Sequence, residues 1–276
     1  MTAAGARWIG KLSSIAALLA AASCWGAETE PPLPASLYEC RAIVTGTDLR
    51  DRPAGFARCL LEVLVKVSGN PALHGDPRAV AAAQDAQAMV SGFSYRDRMA
   101  GLSHHDDQGS SDRPQDLTVR FDPARVGATL AALGERPWMA ERPRLHLTAA
   151  LRPAGLRLDS ADRADLLARA RAALAAAAAR YGVALASPEG VALDSVVSSP
   201  GAEPAGTVPL RGTLTWSDAD DGWVGAWTME REGQESEWSI RGASLDAAFR
   251  DAALGAIAVL SGHQEAPRAW AEAALD

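Results

Sequence analysis

The stretch "LLEVLVKVSGN", residues 60–70, decides the N-terminal half of the fold. With Phe56 before it, Leu60, Val63, Leu64 and Val67 fall on one stripe at helical spacing. Asp51 is the expected cap of this helix, and Pro53 sits in its first turn. The closing Ser68-Gly69-Asn70 resembles the edge of a phosphate loop. A phosphate loop, however, offers backbone N–H groups at a helix N-terminus. Here Gly69 suits the left-handed residue after a helix and Pro71 blocks continuation, so the triplet marks a C-terminus. Lys66 lies off the stripe, four residues after Glu62, which predicts an exposed ion pair beside the helix end. On that reading Lys66→Ala costs about 0.3–1 kcal/mol, whereas Leu64→Ala costs about 2–5 kcal/mol through a core cavity.

Outward from this helix the patterns alternate between period two and period 3.6. Tyr38, Cys40, Ala42 and Val44 alternate with polar residues as a half-buried strand. A second helix is expected from Asp76-Pro77 to about Val90. Strands follow over 93–98 and 116–121, and Asp122-Pro123 opens a short helix closed by Gly134. Residues 134–143 read as a linker. Beyond it come a strand over 145–151 and a helix over 161–181, capped by Ser160 and ended by Gly182. Its alanine run is strongly helix-forming but gives small knobs, so it must pack closely. A short strand over 183–186 and a surface loop over 187–206 lead to three strands near 208–216, 222–230 and 235–241. Ser244 caps a last helix that Gly262 stops. The expected fold is α/β (α+β-like), with two subdomains over 36–140 and 141–276, each a mixed or antiparallel sheet covered by helices.

The first 27 of the 276 residues read as an export signal: Arg7 and Lys11 precede an apolar run, Ile15 to Ala22, too short to span a bilayer. Three outcomes stay open: cleavage after Ala27, acylation of Cys24 in the lipobox-like "AASC", or a retained anchor. The expected location is the periplasm, or the envelope by a lipid anchor. A membrane association follows only from a lipidated Cys24 or a retained signal. Residues 28–35 form a proline-rich extended lead-in. Removing residues 1–27 takes away two positive charges and moves the net charge from −7 to −9. That acidity argues against a nucleic-acid partner.

The strings "LYEC", "VLVKVSGN", "VRFDPARV" and "ERPWMAERPRL" together resemble the bacterial domain-of-unknown-function family numbered 2066, over about residues 36–152. The resemblance implies an exported protein of similar fold. It transfers no catalytic residue, since the family carries no established activity.

No catalytic signature is present: the chain lacks G-x-S-x-G, H-E-x-x-H, a phosphate loop and the Rossmann glycines. His104-His105-Asp106-Asp107 supplies metal-ligand types, but four adjacent loop residues do not converge on one ion without a frame, so no metal and no cofactor is expected. His74, His146 and His263 have no partner at a ligand spacing. Cys40 and Cys59 are a candidate disulfide in an oxidising compartment, the alternative being two buried free thiols. Trp216, Trp223, Trp227 and Trp238 share one face of the last three strands. They either form the core under the last helix or offer a ligand platform. The expected function is a non-enzymatic accessory or interaction module binding an envelope protein; the alternative is a small-ligand or glycan-binding protein using that tryptophan face.

Overall fold

The computed structural model describes residues 34–100, 113–138, 142–187, 190–194 and 204–263. The fold is α/β with two sheets. The first is antiparallel, in the order β1 (Glu39–Thr45), β3 (Pro114–Phe121), β2 (Val90–Asp97). The second is mixed, in the order β5 (Val191–Leu193), β4 (Arg144–Arg152), β6 (Thr207–Ser217), β7 (Gly222–Arg231), β8 (Gln234–Ala243). Strand β4 runs parallel to both its neighbours, while β6, β7 and β8 form an antiparallel meander.

Helix α1 (Arg52–Ser68) carries the expected stripe, and it lies against the inward face of β1 and β3. It ends as predicted: Gly69 has φ 75° and its N–H returns to Val65 O. Yet α1 is not amphipathic in its last turns. Every residue from Leu60 to Ser68 except Leu61 is buried, because α4 (Ser160–Tyr181) crosses on the side away from the sheet. A helix buried all round needs apolar or paired residues all round. That overturns the exposed Glu62–Lys66 pair: both side chains are interior, at 2% and 3% exposure.

Four local expectations are corrected. The second helix, α2 (Pro77–Ala83), stops early; a 3-10 turn over Ala86–Met89 follows and β2 begins at Val90. Ser160 is not the cap of α4. Asp159 is, in a capping box where its carboxylate accepts from the N–H groups of Ala161 and Asp162 while Asp162 returns the favour. Residues 183–186 contribute one bridge, Leu185 to Leu145, rather than a strand. The strand lies instead at 191–193, inside the expected loop. Helix α3 (Pro123–Ala132), capped by Asp122, and helix α5 (Leu245–Ser261), capped by Ser244, stand where their signals put them.

The alanine-rich α4 does pack closely, against α5 and α1. Beneath α5 the tryptophan face forms core: Trp227 packs against Phe249 with tilted rings 5.8 Å apart, and Trp238 donates through Nε1 to Asp251 O. Trp223, Trp227 and Trp238 are buried, and Trp216 is half-buried at the margin.

Candidate functional site

Cys40 projects from the inward face of β1 and Cys59 from the facing side of α1, 5.4 Å apart between α-carbons, and the two sulfurs are bonded. Both residues lie in the core; the sulfur-to-sulfur contact, not the burial, is what separates the pair from the free-thiol alternative. Cys24 lies outside the described residues, as does His104 to Asp107.

Beyond the disulfide, α1 holds a buried ionic junction with α4. Arg180 of α4 pairs with Glu62 at 2.6 Å. Lys66 sends Nζ to the main-chain carbonyl of Glu39 at 2.6 Å. Arg142 donates to the carbonyl of Lys66 at 2.8 Å and stacks over Trp138 at 4.4 Å, closing the carbonyl end of α1. Burial pushes the Glu62 carboxyl up, against the pull of Arg180 and Lys66. Burial pushes the Lys66 ammonium down, against Glu62 and Glu39. His74, packed edge-on against Tyr181, is held down at about 4 by burial first and then by Arg180 and Arg250. Burial pushes Tyr181 up to about 12. Perturbed groups in a cleft would suggest chemistry. These are enclosed, and the charged ones are engaged with one another or with backbone, so the junction holds α1 between β1 and α4.

A second cluster has the composition of a nucleophilic triad. Ser261 Oγ lies 2.9 Å from His263 Nδ1, and His263 Nε2 lies 3.4 Å from Glu135. Asn70 holds the other oxygen of Glu135 at 2.7 Å. His263 therefore has partners in Ser261 and Glu135, at separations of 2 and 128 residues that no motif would reveal. Local geometry argues against catalysis. The Ser261 hydroxyl also bonds to Gly69 O at 2.7 Å, and its Cβ occupies the space a side chain on residue 69 would need. The surroundings are the carbonyl ends of α1 and α5, which oppose a developing oxyanion instead of stabilising it. Ser261 and His263 clasp α5 to the Gly69 turn.

One accessible cleft, of about 760 Å³, lies where α4 and the N-terminus of α5 meet the β6–β7 turn. Trp216 and Trp223, directly paired across β6 and β7 with rings 5.8 Å apart edge-to-face, line one wall. Leu166, Ala173 and Ala176 of α4 form the other. The alanines are the cause of the opening: methyl groups do not fill the space that larger knobs would. Asp221, Asp246 and Arg169 stand at the rim. Its volume suits a small molecule. Trp227 and Trp238, buried under α5, do not line it. His146 lies in β4, away from the cleft lining. Among the described residues, no three His, Cys, Asp or Glu side chains are grouped to hold a metal ion.

A family described as a domain of unknown function (DUF8605) matches residues 34–139, a span holding β1 through α3, the disulfide and Lys66. The match supports an uncharacterised domain, and is not to the 2066 family that the motif strings resemble. No curated protein and no solved structure matches the chain.

Proposed function

We propose that this chain is an exported, non-enzymatic accessory module of the cell envelope, acting by binding another envelope component. The observation that carries the reading is the disulfide between Cys40 and Cys59, buried between β1 and α1. Such a bond persists in an oxidising compartment, and it agrees with a start carrying Arg7 and Lys11 before a short apolar run. The likeness of "VLVKVSGN" and "RFDP" to an exported family points the same way. The non-enzymatic part rests on how the polar clusters are used: the Lys66 junction and the Ser261 clasp both spend their groups internally. Mass spectrometry of the protein recovered from cells tests export. A mature N-terminus near Glu28, or an acylated Cys24, is expected; an intact Met1 in the cytoplasm overturns it.

A second reading is favoured by one observation, the cleft walled by Trp216 and Trp223. It makes the protein a binder of small apolar or glycan ligands. Titration with mono- and disaccharides and short aromatic peptides, followed by tryptophan fluorescence, tests this reading. A saturable change abolished by Ala173→Phe supports it, and no change in any titration removes it.

A further inference from the structure

Among the described residues no helix packs on the outward face of the three-stranded sheet, which carries two matching charge clusters. Glu39, Arg41 and Ile43 of β1 lie in one parity with Thr118, Asp116 and Arg120 of β3, and with Ser94 and Arg96 of β2. Glu39 stands between two guanidinium groups, Arg120 at 3.3 Å and Arg41 at 3.9 Å. Asp116 stands between two others, Arg96 at 2.6 Å and Arg98 at 3.5 Å. Four arginines thus share two carboxylates, leaving this face positive on a chain whose net charge is −7. The arginine side chains are 45–81% exposed. Exposed pairs of this kind contribute little to stability, and each shared guanidinium keeps N–H donors free for an outside anion. Strand spacing spreads the four over a patch on the order of 20 Å long. Ile43, 53% exposed, sits in register with Asp116 at its β1 margin.

We propose that this face docks on an anionic lipid bilayer. The guanidinium fork matches phosphate oxygens bidentately. An open sheet face, rather than a groove, suits an extended array of headgroups. An exposed branched apolar side chain among the arginines is suited to the headgroup boundary and unsuited to water. The inference is independent of the disulfide and of the cleft, and it stands whether or not the N-terminus is lipidated.

Co-sedimentation of the purified protein with vesicles tests it, comparing phosphatidylcholine alone with phosphatidylcholine containing about 30% phosphatidylglycerol. Binding to the anionic vesicles only, released by high salt, is expected. One basic residue near such a surface contributes about a fivefold factor. Arg96→Glu with Arg120→Glu should therefore weaken binding at least about tenfold, with an unchanged melting temperature showing that the variant is folded. Arg241→Glu, at an exposed arginine on β8, should leave binding unchanged. Equal binding to both vesicle types, no binding to either, or an equal loss with Arg241→Glu overturns the proposal. Retention on polyglutamate beads without binding to anionic vesicles overturns it in favour of an acidic protein partner.

Discussion

The ammonium of Lys66 and the main-chain carbonyl of Glu39 are joined at 2.6 Å, so a side chain from the last turn of α1 closes part of the free edge of β1. Arg58, two turns earlier, does the same for the carbonyl of Ile43 at 2.6 Å. An uncovered edge strand is a template for aggregation, and here one helix supplies both stoppers. Replacing Lys66 by Ala leaves a half-buried carbonyl unpaired and removes a cation beside Glu62. The expected cost is about 2–4 kcal/mol in urea unfolding, well above the exposed-pair value. Lys66→Met keeps the packed stem and should lose about 1–3 kcal/mol. A loss under about 0.5 kcal/mol for both would show that the bond is not formed.

The Cys40–Cys59 bond closes a loop of sequence separation 19. In the chain-entropy picture such a loop stabilises by about 3 kcal/mol. A Cys24→Ser protein, denatured without reductant, should show no titratable thiol. Cys40→Ala with Cys59→Ala should lower the unfolding free energy by about 2–4 kcal/mol.

His74 gives the protein an acid-side dependence with a definite sign. Its folded pKa, about 4, lies below the ordinary 6.5. Between those values the unfolded chain takes up a proton that the native one refuses, so stability falls as pH drops through that window. The full effect is about 3 kcal/mol. His74→Phe keeps a ring against Tyr181 and cannot titrate. Between about pH 7 and about pH 4.5 the parent should lose about 2–3 kcal/mol more than this variant. Taking the difference cancels carboxylates such as Glu62 that titrate in both proteins.

Gly255, in the middle of α5, faces Trp238. A Cβ there would lie 2.2 Å from the indole. Gly255→Ala should therefore destabilise by about 1–3 kcal/mol by overpacking, although alanine is the better helix former. Gly127 of α3 meets nothing within 4 Å, and Gly127→Ala should stabilise by about 0.5–1 kcal/mol. Opposite signs for two mid-helix glycines, read from thermal melts, check the packing directly.

The local layer of the fold is legible from the residues alone. Alternation over Tyr38 to Val44 and over the meander, the stripe from Phe56 to Val67, and the stops at Gly69, Gly182 and Gly262 are set by side-chain periodicity and backbone sterics within a few residues. The tryptophan parity was legible for the same reason: a strand puts every second residue on one face. Tertiary structure alone decided the fate of the polar groups. Lys66 is four residues from Glu62 and looked like half of an exposed pair, but α4, arriving about a hundred residues later, covers that side of α1 and supplies Arg180 instead. The Ser261–His263–Glu135 clasp and the cleft between α4 and the β6–β7 turn are likewise made by elements far apart in the chain. Helical and strand patterns report which faces are apolar; whether a charge ends in water or in the core depends on what packs over it, and that is settled only when distant segments meet.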